Sequence, residues 1–247
     1  VFGFSATPDK FYNTRLQFLK HYSLKDETCE ILQYYGHAIV YSHLSKKITV
    51  YEDDLHLGSC GFTMDQYEHW KYRIAQNKVF KADCLPEYIL SCRIRCKGPI
   101  LFPFTDHKHI EKLFTSDKLK GLRMAQWDAQ KLILNNGREF TKSNCWTDKD
   151  GNKLTPYETV KYMIKNEQVD VIFCSSVGFK GADFPTLRNL ILMVGGGAGN
   201  ILQIVGRVCR AQDPVVFLPK DIDHNPLYMV SYKKRLNWIR SIQSQLD

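Results

Sequence analysis

Short apolar runs alternate along this chain with segments whose apolar positions recur every three or four residues. The runs fall at residues 1–4, 99–104, 169–174, 190–194 and 215–218. Each is bounded by turn residues, which marks a strand buried on both faces. Helical periodicity is expected over 11–22, 63–77, 85–94, 107–119, 155–166, 200–211 and 227–245. In 63–77, Tyr67, Trp70 and Ile74 share one side, and Asp65 with Glu68 suits a helix start. Thr155, Pro156 and Glu158 form another: a hydroxyl cap, a first-turn proline and a reciprocating carboxylate. In the last helix, Leu236, Ile239, Ile242 and Leu246 are expected inward, and Lys233, Lys234, Arg235 and Arg240 outward.

Other segments carry weaker patterns. Residues 38–51 read as strands or a hairpin, and Glu52-Asp53-Asp54 as a strand end or loop. The stretch 124–134 is ambiguous and leans toward helix. Asn136-Gly137 and Asp150-Gly151 are turn signals that allow a hairpin over 135–151. Buried strands separated by helices predict an α/β protein with a parallel sheet, and a domain boundary is expected at Lys97–Gly98.

Composition narrows the classes. The 247 residues are 44% hydrophobic and 24% charged, which excludes a disordered tail and a collagen-like chain. A net charge of +8 suits a polyanionic partner, because lysine and arginine displace counterions from phosphates. The eight cysteines follow no secretory signal pattern, so reduced thiols in a cytoplasmic setting are expected. Cys84, Cys92 and Cys96, with Cys60 or Cys145, lack a zinc-knuckle spacing and read as ordinary thiols. The apolar run at 190–194 passes into glycines and is too short for a membrane span. The chain begins inside a strand, so it reads as part of something longer.

The chemistry concentrates between Val171 and Ala211. A buried strand ends at Cys174, and Ser175 and Ser176 follow at its carboxyl end, the edge where parallel sheets place ligands. Gly178 and Gly181 permit close backbone approach, and Asp183 precedes Pro185. A second strand and a GGGAG loop lead to a helix carrying Gln203, Arg207 and Arg210 on one side. One amide and two guanidiniums, with Gly206 between them, suit a polyphosphate.

Four segments, taken in order, resemble motifs of superfamily 2 helicases. GFSATP, with Ser5 and Thr7, is similar to motif III. GPILFPFTDHKHIEKL, with Thr105, is similar to motif IV. Residues 175–185 resemble motif V, and QIVGRVCR at 203–210 resembles motif VI. The run VGGGAGNILQIVGRVCRA looks closest to UvsW-like phage helicases and relatives of type III restriction enzymes.

The resemblance implies a RecA-like fold and roles by position. Arg207 and Arg210 would be arginine fingers for ATP, with Gln203 at the nucleotide. Gly181 and Asp183 would link nucleotide and nucleic-acid sites. Ser175, Ser176, Lys180 and Thr105 would touch a sugar-phosphate backbone, and Ser5 and Thr7 would couple hydrolysis to lobe movement.

No G-x-x-x-x-G-K-[ST] and no DExH box occurs in the sequence. The resemblance therefore divides the chain into the end of a first RecA-like lobe (1–97), a second lobe (98–222) and a C-terminal helix (223–247). It implies an ATP-dependent DNA helicase or translocase acting on branched or duplex DNA in its full-length form. ATP and Mg2+ would be held mainly by the missing first lobe, and this chain alone would be inactive. The setting would be a phage or similar replicon, in the host cytoplasm. The alternatives are an RNA helicase of the same superfamily, a non-catalytic nucleic-acid-binding module, and a restriction-enzyme motor segment.

Overall fold

A computed structural model describes residues 47–56, 84–103, 107–128, 130–174, 182–194, 198–223 and 226–246. The expected strand at 1–4, the helices at 11–22 and 63–77 and most of 38–51 lie outside the described residues. So do Ser5, Thr7, Thr105, Ser175, Ser176, Lys180 and Gly181.

Six parallel strands form most of one sheet: β1 (Thr49–Tyr51), β3 (Ile100–Pro103), β4 (Met124–Trp127), β9 (Val171–Cys174), β10 (Asn189–Ile191) and β11 (Val215–Phe217). Two antiparallel strands, β5 (Leu132–Leu134) and β6 (Glu139–Phe140), complete it in the order β1-β11-β10-β3-β9-β4-β5-β6. The protein is thus mixed α/β with a mostly parallel central sheet. Every residue of β3, β9 and β10 is buried, as strands covered by helices on both faces must be.

Five helices flank the sheet among the described residues: α1 (Leu85–Arg95), α2 (His107–Phe114), α3 (Pro156–Lys165), α4 (Ala198–Val208) and α5 (Pro226–Leu246). Short pairs also form between β2 (Asp54–Leu55) and β12 (Lys220–Asp221), and between β7 (Trp146–Thr147) and β8 (Lys153–Leu154). Both sides of the Lys97–Gly98 junction contribute to one core, since Ile48, Leu85 and Ile89 are buried with the later strands. The helix α5 packs on α4 and β12.

Three local outcomes differ from expectation. Residues 124–134 are two strands, because β4 pairs with β9 and β5 with β4, and sheet pairing overrides the helix propensity of Met, Ala, Gln and Lys. Asp128 makes the turn between them by accepting from the Gln130 and Lys131 amides at 2.8 and 2.9 Å. The helix begun at His107 stops at Phe114, where the Thr115 hydroxyl bonds back to the Glu111 carbonyl at 3.0 Å; a separate 3-10 turn spans Asp117–Leu119. Arg235 is wholly buried rather than outward, while Lys233, Lys234 and Arg240 are exposed.

The strongest sequence signals give their elements. The capping box at Thr155 and Glu158 is present at the start of α3. Both turn dipeptides place their glycine at positive φ, +83° at Gly137 and +81° at Gly151. Glu52 and Asp53 form the loop between β1 and β2, and Asp54 opens β2.

An ion cluster locks the amino ends of the central strands. Asp170, 6% exposed, accepts from Arg123 Nε and Nη2 at 3.0 and 2.9 Å, from the Arg123 amide at 2.9 Å and from Arg93 at 3.2 Å. Burial alone would raise this carboxyl, but the arginine bonds outweigh it and hold it below its ordinary value. A depressed carboxyl stabilises the fold above its unfolded pKa and loses that contribution as pH falls through the folded value. Asp170→Asn is therefore expected to cost about 2 kcal/mol at neutral pH. The deficit should shrink below about pH 4. Urea denaturation at both pH values checks this; an unchanged deficit would contradict it.

Candidate functional site

The chain leaves β3 toward β4 but leaves β10 toward β11, in the opposite sense. Such a reversal between neighbouring parallel strands opens a crevice at their carboxyl ends. The steps β4 to β9, β9 to β10 and β10 to β11 all move the same way. Right-handed crossovers therefore put α3, the described part of the β9–β10 connection (182–188) and α4 on one face of the sheet.

On that face the connection meets α4. Arg207 Nη1 donates to the Ala182 carbonyl, and Arg210 Nη1 pairs with Asp183 Oδ1 at 2.5 Å. Arg207 is half-buried, whereas Arg210 and Asp183 are exposed. Burial, and then the neighbouring Arg210 charge, lower the Arg207 guanidinium from its ordinary value, against the pull of Asp183. The helix ends at Val208, so Arg210 stands in the following turn rather than on the helix proper. Gln203 lies one turn before Arg207 and is half-buried. A Cβ added at Gly206 meets nothing within 4 Å among the described residues, so the helix surface is open at that position.

One residue of this site was not singled out in the sequence. Tyr157, in the first turn of α3, receives a hydrogen bond from the Asp183 amide at 3.0 Å and donates to the Asp183 carbonyl at 3.2 Å. Its ring, Trp127 and Phe184 form a cluster with centroids 5.5 to 6.0 Å apart. Trp127 is the last residue of β4, so the cluster holds segment 182–184 beside the strand ends. The capping box fixed Tyr157 to a first helical turn, but no local signal joined that turn to Asp183. Asp183 is thus held by Tyr157 and Arg210; the turn at Pro185 is closed separately by the Leu187 amide on the Phe184 carbonyl at 3.1 Å.

Two guanidiniums of different burial can donate to the terminal oxygens of a polyphosphate. The donor set fits the anionic end of a nucleotide. It does not supply a metal site: no group of three or more His, Cys, Asp or Glu is placed to hold an ion among the described residues. Cys84, Cys92 and Cys96 are thiols rather than half-cystines, and burial pushes the Cys92 thiol up to about 12. No helix among the described residues is long and apolar enough to cross a membrane.

No family model and no curated protein matches the chain. Solved structures do resemble it at low identity. T4 UvsW is 13% identical with a TM-score of 0.49, covering 86% of this chain and 43% of its own. S. cerevisiae Dbp5 bound to RNA and ADP BeF3 is 13% identical with a TM-score of 0.42, covering 88% and 46%. The Pyrococcus furiosus Hef helicase domain is 13% identical with a TM-score of 0.39, covering 66% and 30%. The chain spans less than half the length of each.

Proposed function

We propose that this chain is the second RecA-like lobe of a superfamily 2 nucleic-acid motor, together with its flanking segments. The observation that carries the reading is the junction of Ala182 and Asp183 with Arg207 and Arg210. It joins the segments that resemble motifs V and VI, which are separated in sequence by β10, the glycine run after it and the first turn of α4. In this reading the lobe takes in β1 and α1 as well as residues 98–222, with α5 packed against it.

In the longer protein, ATP with Mg2+ supplies a phosphoanhydride bond between this lobe and a P-loop lobe. Arg207 and Arg210 approach the γ-phosphate oxygens and neutralise charge that builds during transfer. Gln203 lies one turn back, at the same nucleotide. Asp183 holds Arg210 until the lobes close, and Tyr157 fixes Asp183, so nucleotide state reaches the β9–β10 connection. Gly181 belongs to that coupling segment. Ser175, Ser176 and Lys180 follow the end of β9 and Thr105 follows the end of β3; these are the proposed backbone contacts. Ser5 and Thr7 are the proposed coupling residues of the first lobe. Backbone contacts carry no base information, so binding tolerates sequence and weakens with salt.

We assign DNA, branched or duplex, as the substrate, on the UvsW-like character of 194–211. The test is ATP hydrolysis by the natural longer protein with forked DNA, duplex DNA or RNA added. Stimulation by DNA supports the reading. Stimulation by RNA alone moves the substrate to RNA. No hydrolysis under any condition leaves a nucleic-acid-binding module that kept the fold.

A further inference from the structure

The segment between β4 and α3 holds a pocket that the motor reading does not use. Its position follows from strand register. Cys174 at the end of β9 pairs with Trp127, Trp127 with Leu132, and Leu132 with Phe140. Three strand steps of this transverse row put Phe140 about 14 Å from Cys174 along the carboxyl edge. The hairpin β7–β8 follows on that edge and leads into α3, whose Tyr157 holds Asp183. The pocket therefore continues the edge at which β9 ends.

Its walls combine unlike chemistry in about 430 Å³, lined by Arg138, Glu139, Phe140, Asn144, Cys145 and Trp146. Phe140 and Trp146 meet edge to face, 5.2 Å between centroids, and both are only partly buried. Asn144 Nδ2 is held by the Glu139 carbonyl at 2.7 Å, which fixes the amide at the rim. Arg138 is exposed beside it. Two rings, a fixed amide and a guanidinium match a flat heteroaromatic ring with edge donors and acceptors and an adjoining phosphate; the Glu139 carboxylate is paired with Lys131 at 4.0 Å.

We propose that this pocket takes one unstacked base of a single strand whose backbone runs along the carboxyl edge of the sheet. The inference rests on the nucleic-acid reading above. Trp146 gives the stacking surface, Asn144 meets the base edge, and Arg138 meets the flanking phosphate. A duplex keeps its bases stacked and paired, so it cannot fill the pocket without opening.

The test uses the 247-residue chain and a fluorescein-labelled thymidine oligonucleotide of about 16 nucleotides. Anisotropy titrations compare Trp146→Ala, Trp146→Phe and Arg138→Glu with Lys149→Glu, an equal charge change on the exposed turn of the same hairpin. Trp146→Ala and Arg138→Glu should each weaken single-strand binding about tenfold, with Trp146→Phe near the parent. Lys149→Glu should do less, and duplex binding should not move. Bound oligonucleotide should also slow maleimide modification of Cys145 in the parent chain. This readout, with Arg138→Glu, decides the matter if Trp146→Ala does not fold. Arg138→Glu no weaker than Lys149→Glu, or Cys145 modified equally fast with oligonucleotide bound, overturns the pocket while the nucleic-acid reading stands. A parent chain that binds no oligonucleotide overturns both.

Discussion

Replacing Arg207 with alanine in the longer protein of the proposed motor is expected to lower ATP turnover by about 10³- to 10⁵-fold and, by unpairing the Ala182 carbonyl, to cost about 1 kcal/mol of stability. The expectation rests on the proposed motor role and on what Arg207 touches. Its Nη1 donates to the Ala182 carbonyl, so the guanidinium is already oriented and partly desolvated before any phosphate arrives. A charge held in a partly dry site acts on developing negative charge more strongly than one in water. Arg207→Lys should recover little, since an ammonium lacks the planar fork that reaches two oxygens. Arg210 differs because it is exposed and paired with Asp183. Breaking that surface pair costs less than about 1 kcal/mol of stability. Asp183→Asn should therefore leave the melting temperature alone while weakening the dependence of hydrolysis on nucleic acid. Steady-state ATP hydrolysis with and without DNA, beside thermal melts, separates these effects. An Arg207→Ala protein that hydrolyses ATP like the parent removes the arginine-finger assignment.

Legibility in the sequence followed locality. The α3 capping box, both glycine turns and the buried central strands were readable because short-range chemistry dictates them. The β4–β5 pair is ambiguous in the sequence because its residues favour helix, and only the partner strand β9 decides otherwise. That Arg207 and Arg210 lie close together is readable from their spacing. Their actual anchors, Ala182 and Asp183, lie more than twenty residues away. Tyr157 was invisible for the same reason. Arg235 was assigned outward because an arginine beside two lysines looks solvated, yet α5 turns that position into the core. Helical spacing alone does not say how wide the buried stripe is, and a long helix covering both α4 and β12 buries a broad one.

Arg235 yields the second large effect. Its guanidinium is fully buried, and Nη1 donates to the Met193 and Val194 carbonyls at 3.1 and 3.3 Å and to the Ser231 hydroxyl at 2.8 Å. The charge sits 4.8 Å from the centroid of the Tyr228 ring. Nε and Nη2 have no hydrogen-bond partner among the described residues. Burial lowers this guanidinium from its ordinary value, with Tyr228 opposing, and no carboxylate pairs with it among the described residues. The side chain thus does two opposite things. It satisfies the strand-end carbonyls that lead into the glycine loop before α4, and it keeps an uncompensated charge out of water. Arg235→Ala removes the donor and leaves a cavity, so it should cost about 3 to 5 kcal/mol. For a chain of this size that is a fall of roughly 6–20 °C in melting temperature. Arg235→Met fills most of the volume and removes the buried charge while losing the same hydrogen bonds. Its cost should be far smaller, because a well-packed apolar replacement of a buried charge is often neutral. Urea midpoints for the two variants test the balance. If Arg235→Met is as damaging as Arg235→Ala, the carbonyl hydrogen bonds dominate and desolvation of the charge is minor. If both are mild, the carbonyls of Met193 and Val194 find other donors, and α5 does not fix the end of β10 through this residue.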